Sequence, residues 1–428
     1  MWKRTPLHVP EPRPRILYFA RIDFPSPKAN SIQTVNTCYE LARQGADVLL
    51  VVRRLLKSRR DCFAWYGLPE HPRLRFLSMS LPTPSAFNDW DGPYFRFYLA
   101  SLLRRHRRRD TVVMTRDPAG LDLLRTFFRL RPHPELRTVF EIHKLAFLTK
   151  ASHQKERGRS LQDDAVRDKI ERRRALEADI YAGVDGLVCT SENARRLLEQ
   201  HFAPHCPVAV VPNGTRIPAG ADGAPHVVSG LDDRGRDLEV VYVGQLYRWK
   251  GIDGLVRAMA HLPGRRLTIV GGSEPADVER LQALARAEGV AERIDFVGYV
   301  TPPEVEAYLA RARVGVIPLP HEGFVEAAWF TSPLKAFELM RAGVPVVASD
   351  LPSMRELVRA GEHALLVPPD DPPALAAGID RLLRDRVLAA ELVARAATHV
   401  LDYSWEARAR RLLEFLNGLQ PQAQARGA

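Results

Sequence analysis

Apolar positions in this chain fall into short β-rich runs, separated by longer stretches where they recur every three or four residues. The short runs predict strands at Arg15–Ala20, Asp47–Val52, Leu74–Ser78, Thr111–Thr115, Thr138–Glu141, Gly186–Cys189 and Pro207–Val211. Helical spacing covers Ser31–Gln44, Tyr94–Arg108, Pro118–Leu130, Asp163–Ala182 and Glu192–Phe202. Strand alternating with helix means a parallel sheet covered on both faces. The pattern lapses across Ile217–Arg236, a stretch rich in Gly, Pro and Asp that reads as a linker. It then restarts, with strands expected at Leu238–Val243, Arg266–Val270, Arg293–Val297, Arg313–Ile317, Val344–Ala348 and Ala364–Val367. A last helix, Ser404–Leu419, follows the second sheet. The expected class is α/β: two Rossmann-like parallel-sheet domains that turn their strand ends to a shared cleft. Their bounds are 1–218 and 237–402, with a linker at 219–236 and a closing segment at 403–428.

Composition narrows the reading without naming a chemistry. The 428 residues are 46% hydrophobic and 26% charged, and no apolar run approaches the roughly 20 residues needed to span a bilayer. The opening MWKRTPLHVPEPRPR lacks the apolar core of a secretory signal. Cys38, Cys62, Cys189 and Cys206 form no CxxC pair, so a reduced, cytoplasmic chain without structural zinc is expected. Charge is uneven: residues 1–218 hold 38 Lys and Arg against 23 Asp and Glu, while the remainder holds 24 against 28. A basic half suits an anionic membrane leaflet, a peripheral place on the inner face of the membrane. Nucleic acid is not expected as a partner. Tyr94–Arg109, with aromatics and leucines ahead of a dense basic cluster, fits such docking; an ordinary sheet-covering helix with a solvated basic end fits equally.

Candidate chemistry collects at strand ends. In SPLKAFELMRAGVPVVASD, Ser332 is a suitable N-cap and Pro333 a suitable first helical residue, while Gly343 closes the helix. An open helix start offers N–H groups and a positive dipole end to a phosphate, and Glu338 could reach a neighbouring diol. Gly244 permits close backbone approach after one strand, and Lys250 stands before Gly251 at the next helix start. Gly271-Gly272 and Gly298 end two further strands. His143, just beyond Glu141 in FEIHK, could contact a sugar hydroxyl or share a proton with a phosphate. Each feature alone is as well explained by a plain turn or a solvated side chain. Walker A spacing, a GxSxG elbow and HExxH are absent from the sequence.

In order, these segments resemble the family-4 (group 1) glycosyltransferases of the GT-B fold, over roughly Arg15–Leu416. PSPKANSIQTVNTCYELARQGADVLLV resembles the family's opening loop and first helix, and FEIHK, VCTSENARRLLEQHF and VAVVPNGT its later signposts. VGQLYRWKG resembles the donor loop, and SPLKAFELMRAGVPVVASD the nucleotide-binding helix of an SPLK-type branch. YSWEARARRLLEF resembles the closing helix that crosses back to the first domain. The resemblance implies a retaining, metal-independent hexosyl transfer from a UDP- or GDP-sugar to a glycan or lipid-linked acceptor, as in polysaccharide biosynthesis, with no cofactor. It places Gly244, Gln245, Arg248, Lys250, Gly272, Tyr299, Val300, Ser332, Pro333, Leu334 and Glu338 on the donor. Lys250 would pair with the diphosphate, Glu338 would hold the ribose and His143 would touch the donor sugar; Asn30 and Ser31 would face the acceptor. Two departures stand out. The family's first glutamate is replaced by Phe330, with Glu322 or Glu326 as substitutes, and an arginine of the donor loop by Gln245. Those departures leave open a catalytically silent sugar-nucleotide binder, and a nucleotide-sugar epimerase is a second alternative that keeps the fold and changes the reaction.

Overall fold

The computed structural model describes residues 14–79, 99, 101–105, 111–118, 136–156, 160–218, 226–330 and 332–419. The first domain is a seven-stranded, all-parallel sheet. Its strands are β1 (Arg15–Phe24), β2 (Asp47–Leu55), β3 (Leu74–Ser78), β4 (Thr111–Thr115), β5 (Arg137–Ile142), β6 (Gly186–Cys189) and β7 (Val208–Val210). They lie in the order β3-β2-β1-β4-β5-β6-β7. The second domain adds β8 (Leu238–Val243), β9 (Leu267–Val270), β10 (Ile294–Gly298), β11 (Ala312–Ile317), β12 (Val346–Ser349) and β13 (Leu365–Val367). These are again parallel, in the order β10-β9-β8-β11-β12-β13.

Continuous apolar runs form these strands because both faces of each sheet are buried. In β1, Leu17 and Phe19 enter one apolar cluster while Ile16, Tyr18 and Ala20 enter the other. In β8, Val240 and Tyr242 face one side, and Val241 and Val243 the other. Every expected strand is present, shifted by only a few residues at its ends. The helical stretches Tyr94–Arg108 and Pro118–Leu130 lie largely outside the described residues, as does most of the basic segment ending at Arg109. Two described helices were not anticipated. Arg59–Trp65 is a short helix capped by the Ser58 side chain. Ala146–Glu156 takes its cap from elsewhere: the Glu177 carboxylate accepts from the N–H groups of Ala146 (2.7 Å) and Phe147 (2.9 Å).

The stretch read as a linker is anchored where it is described. Arg236 is buried and donates to the carbonyls of Ala312 (2.6 Å) and Ala342 (3.1 Å), and Val228 N–H to that of Arg341 (3.1 Å). The final helix, Trp405–Gly418, packs on the first domain. Ala409, Leu412, Leu413 and Leu416 join the cluster that holds Ile16, Val48 and Val112. Where the chain returns it pairs with the outgoing strand: Thr215 N–H donates to Tyr403 O (2.8 Å) and Trp405 N–H to Thr215 O (3.0 Å). No described helix is long and apolar enough to cross a membrane.

Leu412 is fully buried in the first domain's core although it lies 202 residues beyond Val210, the end of that domain's last strand. Leu412→Ala is therefore expected to cost about 2–5 kcal/mol. A lowered denaturant midpoint for the first domain checks this; an unchanged midpoint would mean the helix is dispensable to that core.

Candidate functional site

Strand order reverses between β1 and β4 in one sheet and between β8 and β11 in the other, and ligand crevices form at such points. Both reversals open on one cleft of about 930 Å3 between the domains. The loops after β1, β4 and β5 supply Lys28, Arg116 and His143, and those after β8, β9 and β11 supply Gly244, Gly271 and Pro318.

On the second-domain side, β8 runs into Gly244 and a single 3-10 turn, Arg248–Lys250. The turn ends at Gly251, whose φ of +74° favours glycine, and a Cβ there would sit 1.7 Å from Pro318 O. That close approach aims Lys250 into the cleft. Its ammonium lies 3.9 Å from the Trp249 ring centroid, and among the described residues no carboxylate comes within ion-pairing distance of it. Desolvation and then the nearby charge of Lys335 lower its pKa to about 8. Gln245 also lines the cleft and ties the second glycine turn, its Oε1 accepting from Ser273 Oγ (2.9 Å).

The helix after the donor-side loop spans Leu334–Arg341. Pro333, extended at φ −72° and ψ 111°, is its N-cap, so the helix starts later than the sequence suggested. Ser332 thus sits too far back to cap, and its buried Oγ has no hydrogen-bond partner. The helix start is left without a side-chain cap, and Ser332, Pro333, Leu334 and Lys335 all line the cleft. Glu338, one turn on, also lines it and is paired with Lys335 at 2.5 Å. Gly343, with φ +64°, ends the helix as expected. Tyr299 and Val300 form a further part of the wall; Tyr299 stacks on Trp65 of the first domain, centroids 6.3 Å apart.

On the first-domain side, His143 lines the cleft and its Nε2 lies 2.7 Å from Glu141 Oε1, close enough to pair but without hydrogen-bond geometry. Burial, then the charge of Arg116, lowers the His143 pKa to about 4 despite that carboxylate. Asn30 lines the cleft with its Oδ1 buried and unpartnered. Among the described residues, this wall carries Lys28, Arg116, Lys144 and Arg216 and not one carboxylate.

Several expected residues lie elsewhere. Ser31 is fully buried, its hydroxyl bound to Tyr66 Oη at 2.5 Å, because it sits on the inner face of the first helix, Ala29–Arg43. Gly272 lies behind the wall: Gly271 lines the cleft, and a Cβ on Gly272 would meet Leu246. Arg248 points away from Lys250 in the 3-10 turn and lines a separate pocket with Asp253 and Asp370. Glu322 lines that same pocket and so does not replace the missing glutamate in the cleft; the Glu326 side chain is outside the described residues. Phe330 reaches the cleft edge but is otherwise buried in the first domain's apolar cluster, which also holds Phe19 and Phe147. Arg116 and Lys335 were missed, although the first follows a strand end directly and the second is part of the SPLK string.

Comparison with known proteins agrees with this architecture. Residues 237–385 match the family model for group 1 glycosyl transferases, and residues 31–214 match that of a glycosyl transferase 4-like domain. A D-inositol 3-phosphate glycosyltransferase from Acidothermus cellulolyticus is 37% identical over 245 residues, 54% of this chain and 52% of its own. The chain thus spans about half the length of that curated relative. Among solved structures, sucrose-phosphate synthase from Thermosynechococcus elongatus superposes with a TM-score of 0.70 at 24% identity, covering 94% of this chain and 98% of its own. HepE from Anabaena, in complex with UDP-glucose, gives 0.68 at 15% identity, covering 95% and 100%. Two facing Rossmann-like domains of the GT-B type are the fold class. The chain belongs to the group 1 glycosyltransferases.

Gly251→Ala forces a side chain into Pro318 O at a positive φ; the dihedral alone costs about 1–3 kcal/mol and the backbone must also shift to relieve the overlap. The variant is expected to melt earlier and to lose affinity for anions in the cleft, measured by calorimetry with pyrophosphate; wild-type affinity would show that the turn does not position Lys250.

Proposed function

We propose that this protein is a retaining glycosyltransferase that moves a hexosyl group from a UDP- or GDP-sugar to a hydroxyl of a glycan or lipid-linked acceptor. One observation carries the reading: Lys250 and the uncapped start of helix Leu334–Arg341 wall the same cleft. Lys335 is near enough to Lys250 to lower its pKa, so two ammonium groups repel each other in a partly desolvated site. A diphosphate between them relieves that repulsion and is cradled by the helix N–H groups. Glu338 takes the ribose hydroxyls, Tyr299 and Val300 flank the base, and His143 meets the sugar from the opposite wall.

The chemistry follows from where charge develops. The bond from the anomeric carbon to the phosphate oxygen breaks as the bond to the acceptor oxygen forms on the same face. The acceptor's proton passes to the departing phosphate oxygen, so no carboxylate nucleophile is needed. Negative charge grows on the diphosphate, and fixed cations and N–H dipoles stabilise it without reorganising. Lys250 and Lys335 supply that positive charge, and the reading includes no bound metal and no cofactor. Support for the donor comes from HepE, which has been seen with UDP-glucose. For the acceptor, the wall with Lys28, Arg116 and Lys144 and no carboxylate suits a phosphorylated group, whether on a lipid carrier or on a polyol like the one in the relatives' name. The basic first domain suits a peripheral place on an anionic membrane.

A thermal-shift screen against UDP, GDP and ADP tests the site and names the base, since ligand bound only to the folded state raises the melting point. Turnover of the matching sugar nucleotide, with release of free nucleoside diphosphate, tests the transfer; binding without release would leave a silent binder. Lys250→Ala and Glu338→Ala are each expected to weaken nucleotide binding about tenfold or more. Unchanged affinity in both would remove the site from this cleft. UDP or GDP affinity is also expected to fall as pH rises through about 8, because the Lys250 ammonium, which the diphosphate needs, is lost there. The slope should reach up to about tenfold per pH unit. A flat profile from pH 7 to about 9 would contradict pairing with Lys250.

A further inference from the structure

We infer that Arg408, on the closing helix, is a positioning residue for the reaction: through Glu141 it holds His143 neutral, with its proton on Nε2. The inference rests on the proposed function for its kinetic arm only.

Arg408 is the largest fully buried side chain in the described protein. It donates to Glu141 Oε1 (2.6 Å), to Thr37 Oγ1 (3.0 Å) and to the carbonyls of Val211 (2.5 Å) and Pro212 (3.0 Å). Glu141 is also fully buried, and it accepts from Gln33 Nε2 (2.7 Å) and Tyr18 Oη (3.2 Å). Gln33 in turn accepts from Arg116 (2.6 Å). His143 Nε2 lies 2.7 Å from the same Glu141 oxygen that Arg408 holds. The contact lacks hydrogen-bond geometry, but a bare nitrogen lone pair that close to a carboxylate oxygen would be repelled, so the nitrogen facing it carries the hydrogen and Nδ1 is left as the imidazole's acceptor.

The charges around the ring set its protonation. Glu141 on β5 favours imidazolium; Arg116 after β4 and Arg408 on the closing helix oppose it, and burial opposes it most. Lys144, the next residue, adds a further cation on this wall. Without Arg408, Glu141 would be an uncompensated buried anion and would draw a second proton onto His143. Neutral His143 can accept a hydrogen bond from a sugar hydroxyl at Nδ1; imidazolium cannot. Nothing local in the FEIHK string requires a partner 267 residues away in sequence.

The test has two independent arms. In the wild-type protein, nitrogen shifts of the His143 ring are expected to show the Nε2–H tautomer with no titration between about pH 5 and 8. An Nδ1–H tautomer, or a midpoint in the ordinary histidine range, overturns the inference whatever the enzyme does and however the variants fold. In the second arm, Arg408→Lys and Arg408→Gln are compared with wild type for kcat, KM and their pH profiles. The expected result is an acid limb moved upward by about one pH unit or more in the Gln variant, partly restored in Lys. KM for the sugar nucleotide should stay within about twofold while kcat falls. A folded Gln variant whose acid limb does not move overturns the inference. If wild type turns over no sugar nucleotide, the proposed function fails instead, and the same ring measurement on Arg408→Gln decides this one: the midpoint is expected to rise by about one pH unit or more, and an unmoved midpoint overturns the inference.

Discussion

A carboxylate buried inside an apolar sheet has to be answered by a cation, and here the answer comes from the far end of the chain. Glu141 emerges from β5 with no solvent contact, and Arg408 is brought to it on the closing helix. Leaving either charge alone would cost several kcal/mol, so the pair binds the placement of that helix to the state of the first domain's core. The surrounding apolar cluster, which holds Leu412 and Leu416 together with Ile16 and Val48, supplies the attraction, and Arg408 ties the helix to Thr37, Glu141, Val211 and Pro212. His143 hangs from the same carboxylate at the edge of the cleft. Core, closing helix and candidate site therefore share one buried oxygen atom.

The cleft shows the opposite imbalance. Its first-domain wall, among the described residues, has four Lys and Arg side chains and no acid. Across from it, Lys335 has Glu338, but Lys250 faces Lys335 with no acid of its own. Such an arrangement is costly in the empty protein and favourable around anions, which is the economy of a site built for phosphates. Backbone geometry sharpens it. Gly251 and Gly271 permit approaches that any Cβ would block, and Pro333 delays the helix so that its first N–H groups stay open.

Much of this was legible from the residues. Both parallel sheets follow from apolar runs alternating with helical spacing, because burial on both faces leaves a signal that local chemistry does not blur. Gly244 and His143 were placed by their position at strand ends, Lys250 by a helix start and Glu338 by its place within a helix, and the folded chain brings all four to one cleft. What could not be read depends on partners distant in sequence or on side-chain direction. The helix at Ala146 is capped by Glu177, thirty-one residues away, so no local cap announced it. Ser31, Arg248 and Gly272 each sit beside a cleft residue, but on the face of the turn or helix that looks elsewhere. Arg408 left a faint trace: it falls inside the apolar stripe formed by Trp405, Ala409, Leu412 and Leu416, where a solvated arginine would not belong.

The paired crossings at Thr215 and Trp405 have a mechanical consequence. A single tether would let the two lobes swivel freely, whereas two passes of backbone joined by a bridge at Thr215 and Ser404 leave them less freedom. Gly214 lets them touch, since a side chain there would meet Tyr403 O at 2.5 Å. Any turn of one lobe against the other must therefore carry both passes of backbone along together, or break the two hydrogen bonds that join them.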